Sequence, residues 1–262
     1  MVFFIKWDDV LGFIYVCAWS VSMYPPVIKN WMEGSSTAIS MDFVILNTTG
    51  YFYLLVSFIL QLSFWVPISA AIMKGDGSVE KLIVRPKVTN FDYWYCLHGF
   101  IMNWVLVSQV IYGSALWKFK VELHTRRMKS IYLKYWLLSI IIFTGLSIKF
   151  FRENAIVGWQ NSRTLNYCNN LFLLKISMSL VKYIPQVLHN YERKSMNGFA
   201  IQSVFLDVIG GVASLLQLVC QLREDKGFNY ITFVANFGKI GLALVTLIFN
   251  FTFISQWKLY GE

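Results

Sequence analysis

Charge is scarce in these 262 residues: Asp, Glu, Lys and Arg make up 14% of the chain, where a soluble domain carries roughly a quarter. That shortage, beside 56% hydrophobic residues and a mean hydropathy of +0.53, excludes a soluble globular enzyme and a disordered chain. Cysteine is scarce as well. The four cysteines, Cys17, Cys96, Cys168 and Cys220, lie inside apolar stretches with no CxxC pair, so neither a disulfide framework nor a zinc site is expected. The sequence holds three histidines and no HExxH, GxSxG or P-loop pattern. No enzyme is therefore expected, and no metal or cofactor.

What the chain does have is long apolar runs rich in aromatic residues, which are typical of lipid-facing and interfacial surfaces. The net charge of +9 is scattered between those runs. Cations at helix ends beside lipid headgroups account for it, and nucleic acid is not an expected partner.

A membrane-crossing helix needs about 20 predominantly apolar residues, and seven segments qualify. Val10 to Ile28, Phe43 to Phe64 and Tyr93 to Trp117 carry no charge. Tyr135 to Ile148 is short, but Lys134 and Lys149 can snorkel to the two interfaces and complete it. The last three run from about Thr164 to Asn190, Phe199 to Leu222 and Tyr230 to Trp257, each with an embedded charge or amide. Trp7, Asp8 and Asp9 precede the first run and no small-residue cleavage site follows it, so it reads as a span and not a signal peptide. The dense cluster Lys118, Lys120, Arg126, Arg127 and Lys129 favours the cytosol. That places the N-terminus in a lumen or outside and the C-terminus in the cytosol.

The chain repeats itself at an offset of 160 residues. Pro25-Pro26-Val27-Ile28-Lys29-Asn30-Trp31 falls on Pro185-Gln186-Val187-Leu188-His189-Asn190-Tyr191; farther on Ser35 meets Ser195, Asn47 meets Asp207 and Gly50 meets Gly210. Helix one maps onto helix five, an even number of crossings away, so the copies are parallel repeats of three helices. The expected fold is an all-α membrane protein of seven transmembrane helices in one domain over residues 1–262. Repeat one covers about 7–117, a linker helix about 131–150, and repeat two about 164–257. Proline in both copies, near a helix end and before a short polar loop, reads as a pair of hinges at Pro25, Pro26, Pro185 and Gln186 for alternating access.

Charges inside a membrane helix cost several kcal/mol and mark function. Lys175 and Lys182 are two helical turns apart, on one face and about 10 Å apart along the axis. Asp207 lies mid-helix at the repeat position of Asn47, with Ser203 one turn earlier on the same face. A structural pair of Lys182 and Asp207 with nothing between them is the bland account. A polar cavity of both signs instead suits a zwitterion with carboxylates and ammoniums, and an amino-acid-like substrate follows.

The segments Trp19-Ser20-Val21-Ser22-Met23-Tyr24-Pro25 and Leu180-Val181-Lys182-Tyr183-Ile184-Pro185-Gln186 resemble the two PQ-loop motifs of the cystinosin family of lysosomal cystine exporters and its fungal homologues. The similarity continues through Met41 to Gly50, Cys96-Leu97-His98 and Leu206 to Gly211, over nearly the whole chain. It implies L-cystine carried with protons, the coupling ion, from the acidic lumen of a lysosome, vacuole or endosome to the cytosol. On that likeness Asn47, Lys175, Lys182, Tyr183, Ser203 and Asp207 line the substrate cavity and Trp19 gives it an aromatic wall. Asp207 would bind the coupled proton. Asp92 resembles the family's second proton-linked carboxylate, against the plainer reading of a helix-start aspartate, and His98 reads as a core histidine.

This chain also departs from the family pattern. Ser203 replaces an asparagine, Pro26 replaces the first PQ glutamine, and Asn250 stands where an aspartate is expected and cannot titrate. No Gly-Tyr-Asp-type sorting tail follows Trp257. The sequons at Asn47 and Asn250 fall inside spans and are expected to be unused. Two other functions fit the same frame: a cationic amino-acid exporter, in which Lys175 and Lys182 would repel the substrate side chain, and a non-transporting receptor or scaffold.

Overall fold

The computed structural model describes residues 7–36, 41–66, 85–120, 127–194, 201–224 and 230–261. Arg126, Ser195 and Phe199, which figure in the sequence reading, lie outside them. The described residues form helices α1 (Trp7–Val21), α2 (Tyr24–Glu33), α3 (Met41–Ser63), α4 (Asn90–Ile111), α5 (Gly113–Trp117), α6 (Ser130–Val157), α7 (Asn161–Arg193), α8 (Ile201–Glu224) and α9 (Tyr230–Tyr260). With α1 and α2 taken as one column and α5 as a short extension of α4, seven columns result. Six of the described helices are long and apolar enough to cross a membrane. The remaining column, α7, has 33 residues, ample for a span. Its Asn166, Asn169, Asn170, Lys175 and Lys182 lower its hydropathy.

Lipid dictates where polarity goes. No water is available in the hydrocarbon to satisfy amides or hydroxyls, so they turn inward while Leu, Ile and Phe face out. Thus Gln109, Gln217, Thr164 and Ser57 are buried, whereas Ile131, Ile141, Ile148 and Ile156 on α6 are exposed. Asn47 and Asn250 are buried in helices, as expected of unused sequons. All four cysteines are free.

Within each half the third helix packs against the other two: α4 against α1 and α3, α9 against α7 and α8. Between the halves the first helix of one meets the second helix of the other, α1 on α8 and α3 on α7. Two glycines at equivalent repeat positions make this approach possible. A Cβ on Gly50 would fall 2.9 Å from the Lys175 side chain, and one on Gly210 would fall 2.5 Å from the Trp19 ring. The linker helix α6 is held from both sides. Trp136 Nε1 donates to Thr49 Oγ1 of α3 at 2.9 Å, and the Ser147 and Tyr167 hydroxyls bond at 2.7 Å on the α7 side.

The linker helix runs past the expected 131–150, continuing through Arg152 and Glu153 to Val157 with most of those side chains exposed. The two proline sites differ. After Val21 the chain breaks into a turn at Ser22 and Met23, and Pro25 and Pro26 open α2 in its first turn, where a missing N–H costs nothing. In the second copy α7 continues through Pro185 and Gln186 to Arg193. Two consecutive prolines remove two backbone donors and end a helix, whereas one removes a single bond and can be carried. At the far end of α2, Gly34 adopts φ 59° and its N–H closes the helix onto the Asn30 and Trp31 carbonyls.

Substituting Gly210→Ala is expected to lower the thermal midpoint of the detergent-purified protein, by the roughly 1–3 kcal/mol of an overpacked contact. Gly145→Ala, whose added methyl meets nothing within 4 Å, is expected to leave it unchanged or raise it.

Candidate functional site

The repeat offset that relates Asn47 to Asp207 also relates Ser22 to Lys182 and Tyr15 to Lys175. Contacts across the middle of the bundle follow that relation. On one side Lys182 Nζ, from α7, donates to Asn47 Oδ1 of α3 at 2.6 Å. Asn47 Nδ2 donates onward to Asn103 Oδ1 of α4 at 2.6 Å, and Asn103 Nδ2 donates to the Gly99 carbonyl at 2.7 Å. On the other side Ser22 and Asp207 hold the matching repeat positions, and α1 reaches α8 through the Trp19 indole, which donates to the Asp207 main-chain carbonyl at 3.0 Å.

No ion pair joins Lys182 and Asp207 among the described residues. Both are half-buried, as are Tyr183 and Ser203. The bland alternative of a closed Lys182–Asp207 pair is therefore not what the side chains adopt. The Lys182 ammonium also lies 4.7 Å from the Tyr183 ring and 5.0 Å from the Phe43 ring. Tyr183 stacks on Phe249 at 5.0 Å, which fixes that wall. Ser203 Oγ and Asn250 Nδ2 are buried with no hydrogen-bond partner among the described residues.

Trp19 is less free than an open aromatic wall. Its indole N–H donates to the Asp207 main-chain carbonyl at 3.0 Å, and its ring packs over Gly210. It forms a layer with Tyr95 at 4.9 Å and Tyr15 at 5.4 Å, while the Tyr51 and Tyr95 hydroxyls share a bond of 2.7 Å. Lys175 is buried on the other side of that layer, with Nζ 4.0 Å above the Tyr51 ring. Lys175 and Lys182 therefore share a helix face but stand in different surroundings, with the layer between Lys175 and the central charges.

A second polar cluster lies towards the start of α1. Asp92 is buried at 4% exposure and does two things at once. It caps α4, accepting from the Thr89 N–H at 2.7 Å and the Thr89 hydroxyl at 2.8 Å. It also pairs with Lys239 of α9 at 3.1 Å and accepts from the Tyr15 hydroxyl at 2.8 Å. Lys239 Nζ donates to Gln217 Oε1 of α8 at 2.7 Å, and Gln217 Nε2 to the Asp8 carbonyl of α1 at 3.0 Å. Four helices from both halves are tied through one buried ion pair. Lys239 is absent from the sequence reading, although the rule that singles out Lys175 and Lys182 applies to it equally. Asn103 is missed for a different reason: charge marks a span, whereas an amide inside an uncharged one draws no notice.

His98 bonds through Nε2 to the Tyr24 hydroxyl at 3.0 Å, linking α4 to the first residue of α2. The side chains of Pro185 and Gln186 lie outside the described residues. No group of three or more metal-ligating side chains occurs among those described.

Comparison with known proteins places these features in a lineage. A PQ loop repeat matches residues 9–66 and 167–227. A cystine transporter from Saccharomyces cerevisiae is 58% identical over 253 residues, 97% of this chain and 94% of that protein. Cystinosin from Bos taurus is 32% identical over 254 residues, 95% of this chain and 62% of that protein. A cystinosin homolog from Dictyostelium discoideum is 28% identical over 250 residues, 94% of this chain and 78% of that protein.

Removing one partner of a buried ion pair costs about 3–5 kcal/mol, more than removing both. Lys239→Ala is therefore expected to lower the thermal midpoint sharply, and Lys239→Met combined with Asp92→Asn to recover part of the loss. A single substitution as stable as the parent protein would show that the pair carries no such weight.

Proposed function

The chain belongs to the PQ-loop family alongside the cystinosins, and from that premise we propose that it exports L-cystine with protons from an acidic lumen to the cytosol by alternating access. The observation that carries this reading is a pair of opposite charges half-buried in the second repeat, Lys182 on α7 and Asp207 on α8, with no ion pair between them among the described residues and Lys182 bonded instead to Asn47 of the first repeat. Each head of cystine bears a carboxylate and an ammonium. One carboxylate meets Lys182 and Asn47, one ammonium meets Asp207, and the phenol of Tyr183 closes the side. Ser203 Oγ, buried without a partner, is the hydroxyl left for a substrate polar group. A buried polar atom left unpaired is costly, so a ligand that satisfies it gains specificity as well as affinity.

Asp207 is the proton carrier in this scheme and Asp92 the second proton-linked carboxylate. A proton on Asp92 removes the anionic half of its pair with Lys239, which ties the two halves together at one end. Asn250 has no proton to exchange, so coupling rests on the two aspartates. The orientation with α1 beginning on the lumenal side puts Asp92 and Lys239 at the lumenal end and the C-terminus in the cytosol. The lysosomal or vacuolar membrane is the compartment that supplies the proton gradient. The relative named a cystine transporter, matched over 94% of its length, supports the choice of substrate. Lys175 and Lys182 argue against a cationic amino acid in the same cavity.

The test is uptake of radiolabelled L-cystine into proteoliposomes of the purified chain, with and without an inward proton gradient, in the presence of excess unlabelled arginine or glucose. Gradient-stimulated uptake that neither competitor blocks is expected. Asp207→Asn is expected to abolish the stimulation. Lys182→Ala is expected to raise the apparent KM by about tenfold or more, the size of a lost charge-assisted bond. Absence of flux in sealed vesicles holding folded protein would overturn the transport reading, and competition by arginine would redirect it to cationic amino acids.

A further inference from the structure

The third helices of the two halves share a pattern of their own. At an offset of 147 residues, Asn103-Trp104-Val105-Leu106-Val107-Ser108-Gln109 of α4 falls on Asn250-Phe251-Thr252-Phe253-Ile254-Ser255-Gln256 of α9. The same offset sets Asp92 on Lys239. The buried ion pair thus joins equivalent positions of the two third helices, and a glutamine stands at the equivalent position near the other end of each.

Gln109 and Gln256 are both buried. The amides of Asn103, Asn154 and Asn236 donate to carbonyls of their own helices, at Gly99, Phe150 and Thr232. Those of the two glutamines reach another helix. Gln109 Nε2 donates to the Val27 carbonyl of α2 at 3.2 Å, and its Oε1 accepts from Asn30 Nδ2 at 3.0 Å. The Gln109 main-chain carbonyl accepts from Ser36 Oγ at 2.9 Å, beyond the end of α2. In the other half Gln256 Nε2 donates to the Val187 carbonyl of α7 at 2.8 Å. Val27 and Val187 are equivalent in their turn, two residues after Pro25 and Pro185. One bond is made twice between matching positions, although its acceptor lies in a separate helix in the first repeat and within the continuous α7 in the second. A buried amide in lipid needs a partner, but that need alone does not call for the same carbonyl of another helix in both halves.

Each proline withholds an N–H from the carbonyl four residues before it, at Val21 or Val181. The soft point therefore lies ahead of the proline, and the glutamine grips the chain after it. A bend at the soft point carries the third helix along. Asp92 and Gln109 stand about 25 Å apart along α4, and Lys239 and Gln256 have the same spacing along α9. Each third helix is held at one end by the ion pair and at the other by its own proline segment.

We propose that Gln109 and Gln256 are positioning residues that make levers of α4 and α9: each fixes its third helix to the segment after the repeat proline, so that bending there and the parting of Asp92 from Lys239 occur together. This rests on the reading of the chain as an alternating-access transporter. In the orientation given above the ion pair lies at the lumenal end and the two grips at the cytosolic end, so each lever runs from one side of the membrane to the other. The grips act on main-chain carbonyls of α2 and α7, and what they set is the rate of the conformational cycle and not the affinity for substrate.

The experiment measures initial rates of L-cystine uptake against concentration, under one fixed proton gradient, in proteoliposomes holding equal amounts of the folded full chain. The variants are Gln109→Leu, Gln256→Leu, Tyr15→Phe, which takes one hydrogen bond from Asp92 and keeps the ring, and Tyr15→Phe combined with each leucine variant. Each glutamine variant is expected to lower Vmax by roughly fivefold, the effect of about one hydrogen bond, with KM within about twofold of the parent value. Tyr15→Phe is expected to change Vmax as well. In the combined variants the two effects are expected to miss their product by about threefold or more, because a lever loosened at one end transmits little from the other. Glutamines that only hold the fold would give effects that multiply, as substitutions so far apart ordinarily do. Such multiplication, or a parent-like Vmax in both glutamine variants, overturns the proposal. Gln109→Met and Gln256→Met serve in place of a leucine variant that does not fold. Absence of flux in the parent chain overturns the transport reading itself, and the levers with it.

Discussion

Where α3 crosses α7 there is no side chain at Gly50, and where α1 crosses α8 there is none at Gly210. These two absences let the first helix of each half lie close along the second helix of the other, and the interior is arranged around that closeness. Within membranes such close approach through small residues replaces the hydrophobic drive that water supplies elsewhere. Because Gly50 abuts Lys175, the next two turns of α7 carry Lys182 to Asn47. Because Gly210 abuts Trp19, the last turn of α1 brings the Trp19 indole to the Asp207 main-chain carbonyl. Each half therefore completes the polar set of the other, and neither set exists within a single half.

The interior is divided by its aromatic layer. Tyr15, Trp19, Tyr51 and Tyr95 occupy the level between the central charges and the Asp92–Lys239 pair, and two of them reach outward by hydrogen bonds. Tyr15 touches the lower carboxylate through its hydroxyl, and Trp19 touches the chain at the upper one through its indole. One turn of α1 thus contacts both acidic residues. The layer is apolar in its faces and polar at its edges, so it can separate two charged regions while the Tyr15 hydroxyl and the Trp19 indole keep acceptors on either side.

Much of this was legible in the sequence because lipid imposes a length and a polarity on each crossing. Apolar runs gave the columns, and the 160-residue offset gave their relation. The ends were less legible, since α6 runs on through Arg152 and Glu153 and α7 both begins and ends in polar residues, Asn161 to Arg163 and Asn190 to Arg193, where hydropathy ceases to discriminate. Among the candidate site residues, Lys182 and Asp207 stood out as charges where charge is expensive, and Lys239 met the same test. Asp92 was legible as a helix cap but not as an ion-pair partner, because the cap is local in sequence and Lys239 lies in another half of the molecule.

The linker α6 touches α3 through Trp136 and Ser139 and α7 through Ser147 and Phe150, with its outer face left to lipid. It spans the seam on one flank of the molecule; among the described residues the seam between α1 and α8 has no such strut. A pair of bodies joined along one edge cannot draw apart or slide past each other there. What is left to them is to swing about that edge, as two boards do on a common spine, with the greatest travel on the flank where α1 and α8 meet.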